Sequence, residues 1–170
     1  MSQPIDPLFT FQFELAFQDE PLAGSEGTQT PSLAGAFSEC TGLEATMEPK
    51  VIKAGGYNYG AHQRVGPVTF ATVVLKRGIS RDGRLFQWFQ RVATGDYGHR
   101  RSVQIHLKRW VNSASRENPV MKQEIVLTWR LDRALPIKFK AADFNARGTE
   151  VGIEELHLAH EGLTLDTKAG

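Results

Sequence analysis

Phe9-Thr10-Phe11-Gln12-Phe13-Glu14-Leu15-Ala16-Phe17 places a large apolar side chain at every second position, with Thr10, Gln12 and Glu14 between them. A period of two marks a strand with one buried and one wet face. The next stretch, Gln18 to Ser32, turns to Gly, Ser, Thr, Pro and acid. It cannot bury enough apolar area to hold one conformation and reads as a flexible insertion between strands. A second strand is expected over Leu33–Cys40. Leu43–Lys53 and Tyr57–Val65 then flank Ala54-Gly55-Gly56, whose glycines supply the positive φ of a hairpin tip. This hairpin, spanning about residues 43–65, is long and weakly hydrophobic, so it reads as a projection rather than a core element. Val68–Lys76 is apolar on both parities and predicts a central strand covered on both faces.

One convincing helix follows. Leu85, Trp88, Phe89 and Val92 fall at i, i+3, i+4 and i+7, a single apolar stripe that would pack into the core. Asp82 is placed to cap its start and Gly95 to end it in the left-handed conformation. Strands then resume: Val103, Ile105 and Leu107 alternate with Gln104, His106 and Lys108, and a polar turn at Asn112–Pro119 leads into Met121–Arg130, predicting a hairpin. Ile137 and Phe139 open another strand. Glu150–Leu163 carries apolar residues on one parity at Val151 and Ile153 and on the other at Leu156 and Leu158, the phase change of a bulge or strong twist. About seven or eight consecutive strands without βαβ alternation predict an antiparallel sandwich or partly closed barrel with one flanking helix.

Composition narrows the function. The chain has 170 residues, enough for a single domain with a real core, and its 20 basic and 19 acidic side chains nearly cancel. No global field marks a nucleic-acid binder. The one cysteine, Cys40, cannot build a disulfide framework and reads as an inert core or sheet residue. The start, Met1 to Pro7, has neither the basic nor the apolar region of a secretory signal, and no run approaches the ~20 apolar residues of a membrane span. The expectation is a protein made and kept soluble in the cytoplasm, with no insertion into a membrane.

Catalytic templates do not fit. His157 and His160, beside Glu154, Glu155 and Glu161, look like a metal cluster, but a three-residue offset on a strand sends the two imidazoles to opposite faces. Thr164 stands where a helical HExxH motif starting at His160 needs its second histidine. There is no nucleophile elbow, and Gly55-Gly56…Gly60 lacks the spacing and context of a phosphate cradle. Asp132 and Asp143 are isolated carboxylates near strand ends. Arg100-Arg101, Lys108-Arg109 and Lys76-Arg77 with Arg81 and Arg84 form modest basic clusters, read here as a solvated face or as partners for carboxylates of a neighbouring subunit. No catalytic, cofactor or metal residue is assigned.

Several blocks, read in order, resemble the tail-tube family of contractile phages and extracellular injection systems. They are Phe11-Gln12-Phe13-Glu14-Leu15, Phe37-Ser38-Glu39-Cys40-Thr41-Gly42-Leu43-Glu44, Ala54-Gly55-Gly56-Tyr57-Asn58, and Val74-Leu75-Lys76-Arg77-Gly78-Ile79-Ser80 running into Leu85-Phe86-Gln87-Trp88. Trp129-Arg130-Leu131 with Ala134-Leu135-Pro136, and Ile153 through Leu163, complete the series. The resemblance spans nearly the whole chain. Ala54 stands where the family often has an acid before the paired glycines, and Leu135 where it often has an aromatic before the proline.

The resemblance implies a mainly β, tail-tube-like subunit over residues 1–170, six copies of which close into a ring whose inner sheets form one lumen-lining barrel. Rings would stack into a hollow tube that conducts cargo when a sheath contracts. It also implies partners: copies of itself, the sheath protein, the baseplate or spike, tube-terminating proteins, and effector cargo in the lumen. A ring-forming effector carrier similar to the type VI secretion tube protein is the alternative, and a small β enzyme with a closed pocket the third reading. The projecting hairpin, through Val51, Ile52, Gly55, Gly56, Tyr57 and Tyr59, is expected to contact an adjacent subunit or ring.

Overall fold

The computed structural model describes residues 12–21, 37–57, 59–113 and 120–167. Among these are nine strands and one helix: β1 (Phe13–Pro21), β2 (Glu39–Thr41), β3 (Ala45–Ile52), β4 (His62–Phe70), β5 (Val73–Gly78), α1 (Arg84–Ala93), β6 (His99–Ser113), β7 (Val120–Lys140), β8 (Ile153–Ala159) and β9 (Gly162–Thr167). Every pairing is antiparallel. The main path runs β1-β6-β7-β8-β5-β2, with β9 also on β7, while β3 and β4 pair only with each other among the described residues.

One strand serves both layers. Residues 120–134 of β7 pair with β6, and β9 joins the same stretch from the other side at Leu127–Asp132. Leu135–Lys140 pair instead with β8. The corner lies at Arg133, whose φ of 52° is the one positive value outside glycine among the described residues. It is held by Arg133–Glu161 at 3.0 Å, by the Glu161 amide donating to the Asp132 carbonyl at 3.0 Å, and by Arg100 Nη1 donating to the Arg133 carbonyl at 3.4 Å.

Directly opposed residues share a face, so the register identifies the core. Leu15, Ile105 and Trp129 form one inward row, and Phe17, Val103, Leu131 and Leu163 the next. Val73, Leu75, Leu156 and Leu158 face them, fully buried, from the second layer. Helix α1 closes the end near Phe17. Leu85, Trp88 and Val92 are buried, and Trp88 meets Phe17 edge-on at 5.9 Å. Each such side chain contributes about 1.5–3 kcal/mol by leaving water. Phe89 is only half-buried and lies beside Phe86 and Phe139.

The structure corrects several sequence boundaries. β1 continues through Pro21 into the stretch read as loop, because Asp19 opposes Arg101 and pairs with it at 2.7 Å. Phe9, Phe11 and Leu33–Ala36, assigned to strands, lie outside the described residues, as does most of the 18–32 insertion. The hairpin's second strand is His62–Phe70 and not Tyr57–Val65, so Val68 and Phe70 belong to the projection. Of the expected central strand Val68–Lys76 only Val73–Lys76 is central, as part of β5, since the strand is interrupted at Ala71-Thr72. Met121–Arg130 and Ile137–Phe139 are one strand that bends, and Glu150–Leu163 divides into β8 and β9 at a turn after Ala159. The N-cap of α1 is Gly83, φ 56°, with Asp82 one residue earlier accepting from the Arg84 amide at 2.8 Å. Gly95, φ 114°, follows the helix and donates to the Val92 carbonyl at 3.1 Å.

Gly42 is where the projection leaves the body. Its φ is +87°, and a Cβ there would lie 2.1 Å from the Thr72 carbonyl oxygen. Gly42→Ala is therefore expected to cost more than about 2 kcal/mol, combining a strained backbone with a clash against main chain that cannot rotate away. Urea unfolding followed by circular dichroism measures this; an unchanged midpoint would contradict it.

Candidate assembly interface

The first layer, β1-β6-β7-β9, turns its other face outward as two polar rows. Glu14, His106, Thr128 and Asp166 stand opposite one another across the four strands, and Ala16, Gln104, Arg130 and Thr164 form the next row. Charges on this face are matched locally: Lys108 pairs with Glu14, and Arg130 lies 2.8 Å from Asp132. His106 Nδ1 and Thr128 Oγ1 share a hydrogen bond of 2.9 Å. The flanking strands β1 and β9 each have one strand partner among the described residues, leaving a margin at either side of this sheet.

Across the second layer, Glu39, Lys76, Glu155 and Lys140 line up on β2, β5, β8 and β7, acid alternating with base. Lys76 lies 3.0 Å from Glu39, and Lys140 3.9 Å from Glu155. The hydrogen bond that Lys76 donates to Glu39, then the charge of that carboxylate, hold the Lys76 ammonium above its ordinary pKa, and Glu155 adds to this. Such a row favours one register, since a slip would oppose like charges.

Most cations of the basic clusters have a carboxylate partner within the chain itself. Arg77 is paired with Glu154 in a nearly dry setting and its guanidinium sits 5.8 Å from the Phe37 ring. Arg101 pairs with Asp19 and lies 4.9 Å over Trp88. Burial pulls the Arg101 pKa down and Asp19 opposes that pull. Arg100 pairs with Glu161, and Arg84 with Asp82. The Phe37–Phe17 and Phe17–Trp88 contacts, 6.0 and 5.9 Å, make a continuous stack between the two guanidiniums. These pairs fix the helix and the first strand to the body.

The β3–β4 hairpin is more apolar than its sequence suggests. A bulge gives β4 one extra residue between Val65 and Val68, against β3 between Met47 and Pro49. It shifts the phase of β4 so that Met47, Pro49 and Val51 on one strand share a face with Val65, Val68 and Phe70 on the other. Gly66 makes this possible, because a Cβ there would meet the Glu48 carbonyl at 2.6 Å. Met47, Val51, Val65 and Val68 are 53%, 60%, 68% and 46% exposed, so this apolar face is uncovered. The opposite face carries Lys50, Arg64, His62 and Ile52.

The proposed contact residues thus separate. Val51 lies on the apolar face and Ile52 on the polar one. Gly55 and Gly56 form the tip, with Gly56 at φ +87° and the Tyr57 amide donating to the Ala54 carbonyl at 3.3 Å. Tyr57 stacks on His62 at 4.8 Å, and Tyr59 is almost fully exposed. The bulge was missed in the sequence, although Gly66-Pro67 inside a strand is its signal.

At the end of the sandwich opposite α1 the layers part. Phe13, Leu107, Leu127 and Trp129 on one side, and Cys40 and Leu43 on the other, line an open cleft of about 380 Å³ with Glu39 on its rim. Burial pushes the Cys40 thiol up to about 11, so it is a poor nucleophile. His157 lies 3.6 Å from Glu155, whereas His160 turns its Nδ1 to the Gly162 carbonyl at 2.9 Å and its ring to Phe70. Among the described residues no group of three or more His, Cys, Asp or Glu side chains could hold a metal, and no helix is long and apolar enough to cross a membrane.

A two-layer antiparallel fold with a polar sheet face and, among the described residues, two open margins and an uncovered amphipathic hairpin defines a structural subunit built to meet other chains. The chain belongs to the family described as T4-like virus tail tube protein gp19, which matches residues 8–164. Solved structures agree. A chain of the anti-feeding prophage baseplate, 6-fold symmetrised, is 25% identical over 98% of both chains with a TM-score of 0.71. A chain of the PVC extracellular contractile injection system, from its sheath-tube complex in the extended state, is 16% identical over 96% of this chain and 94% of that one, with a TM-score of 0.72. A chain of the sheath/tube terminator of that system is 15% identical over 97% and 100%, TM-score 0.69. No curated protein matches the sequence.

Two histidines tie stability to pH. Burial first, then Arg91 and Arg101, hold His99 below its ordinary pKa against the pull of Asp19 and Asp96; burial first, then Lys108, does so for His106 against Glu14. With folded values depressed, their contribution is complete above the unfolded value of about 6.5 and is lost as pH falls through the folded values. Urea midpoints should fall between pH 7.5 and 5, and a His99→Gln, His106→Gln variant should show a flatter dependence. An equally steep dependence in the variant would contradict the assignment.

Proposed function

We propose that this subunit forms the inner tube of a contractile, phage-tail-like injection machine, working as one structural unit and not as an enzyme. The observation that carries this is the β1-β6-β7-β9 sheet, polar on one face and open at both sides. Placing β1 of one copy against β9 of the next continues the sheet, and a head-to-tail contact that closes by rotation makes a ring. Six copies are the number favoured by the 6-fold assembly named for the prophage relative. The rows Glu14–Asp166 and Ala16–Thr164 then form the wall of a hydrated lumen.

That wall suits a conduit. Its cations are paired with carboxylates a few ångströms away, so it offers passing cargo hydrogen-bonding groups but little unpaired charge. The opposite side of each copy, with its own ordered charge row, is left for an enclosing sheath, and the ring faces for further rings, a baseplate and a terminator.

Negative-stain electron microscopy of the expressed chain tests this reading. Rings and hollow tubes of uniform width are expected; a protein that stays monomeric at high concentration would contradict it. Deleting Ala54–Tyr57 should leave a folded subunit with an unchanged circular dichroism spectrum that forms shorter tubes or single rings. Tubes of unaltered length would remove the hairpin from the stacking contact.

A further inference from the structure

The β3–β4 hairpin is joined to the body by two links that lie side by side. The chain enters through Gly42 and Leu43 and leaves through Ala71 and Thr72, where the Ala71 amide donates to the Glu44 carbonyl at 3.1 Å. Among the described residues neither strand of the hairpin pairs with any other strand. Two adjacent links define an axis, and a rigid projection held only along an axis can rock about it. The lever is long. At about 3.3 Å per residue Val51 lies roughly 20 Å beyond Ala45, so a rocking of about 10° at the root moves it by about 3.5 Å, enough to break a hydrogen bond or a van der Waals contact. A fixed pose needs a contact off that axis.

His160 supplies one. Phe70 is the last residue of β4 and lies on the apolar face of the hairpin, where it is half-buried while Val65 and Val68 are exposed. The His160 ring stands 5.1 Å from the Phe70 ring, tilted by 41°. The imidazole is itself held in place. Its Nδ1 is 2.9 Å from the Gly162 carbonyl, which can only accept, so Nδ1 carries the hydrogen and the first residue of β9 sets the orientation of the ring. Nε2 is buried with no hydrogen-bond partner among the described residues, so no second polar group there draws the ring away from Phe70. The next residue, Glu161, is anchored to Arg133 and Arg100, and its amide to the Asp132 carbonyl. The support beneath Phe70 is thus braced by the same corner that bends β7.

We propose that His160 is the positioning residue of the hairpin: its ring, pinned to the start of β9, fixes the angle at which the projection leaves the body. The pose is a property of the single subunit; its use rests on the tube reading, in which the β9 margin joins the next copy in the ring and the hairpin serves the stacking contact. One turn then sets the geometry of both contacts, and a shift at the start of β9 displaces the ring and with it the hairpin.

Double electron–electron resonance on dispersed subunits reads this pose. Nitroxides are attached at Lys50→Cys on the hairpin and Gln90→Cys on the exposed side of α1, both in a Cys40→Ser background. With His160 in place the distance should form one narrow peak. His160→Ala should widen it by about 3.5 Å or more with an unchanged circular dichroism spectrum, and His160→Phe, which keeps a ring against Phe70, should widen it less. Phe70→Ala should act like His160→Ala, and the two together should do no more than either alone, since both remove one contact. A loss of stability alone would lower the urea midpoint and leave this peak as it is. By electron microscopy, His160→Ala should give shorter tubes than the unaltered protein.

A peak unchanged by His160→Ala, equal widening by His160→Ala and His160→Phe, or additive widening in the double variant would overturn the assignment, as would a broad distribution with His160 in place. If His160→Ala does not fold, Phe70→Ala decides, and an unwidened peak there overturns it. A widened peak with tubes of unaltered length would remove His160 from the stacking contact. Unaltered protein that makes no tubes would refute the tube reading and leave the distance measurement on single subunits standing.

Discussion

The bend of β7 at Arg133 is the constraint on which the rest of the fold depends. A left-handed conformation at a non-glycine residue costs of order 1–3 kcal/mol and persists only where its surroundings over-determine it. Here they do: Glu161 holds the Arg133 guanidinium, its own amide holds the Asp132 carbonyl, and Arg100 reaches both Glu161 and the Arg133 carbonyl. With the corner fixed, one strand contributes to two layers, and the order β1-β6-β7-β8-β5-β2 follows from it. The same corner sets β9 on the first layer, which gives that layer its second open margin.

Polar and apolar surfaces are sorted with the same economy. Buried guanidiniums at Arg77 and Arg101 each have a carboxylate and an aromatic face, so neither is left as an isolated charge in the core. The outer rows of both layers are neutralised in place. Among the described residues the margins of the first layer and the apolar face of the hairpin stay open, the kinds of surface that another chain of the same shape can cover. A two-stranded hairpin is marginal in water by itself.

Much of this was legible in the residues. The alternation from Phe13 to Phe17 marks the buried row, and the i, i+3, i+4, i+7 stripe marks α1 with Leu85, Trp88 and Val92 inward. Family resemblance, carried by blocks such as Phe37–Glu44 and Val74–Ser80, pointed to the tube. The misreadings share a cause, which is a change of phase that periodicity alone cannot place. The bulge at Gly66-Pro67 hid the apolar face of the hairpin by moving Val65 to the other parity from Val68. The bend at Arg133 made one strand look like two, and the turn at His160-Glu161 made two strands look like one. Asp19 looked like loop because its partner, Arg101, is remote in sequence. The cleft was invisible for the same reason, since Phe13, Cys40, Leu107 and Trp129 meet only after the sheets have formed.

The central claim is that the open margins of the first layer are completed by other copies of the chain. Amide hydrogen exchange, compared between dispersed subunits and assembled material, tests it most directly. Those amides of Phe13–Gln18 and Gly162–Thr167 that point away from their own sheet should exchange freely in the subunit and become protected on assembly, while Leu156 and Leu158 change little. Assembled material in which both margins exchange as fast as in the subunit would contradict the account.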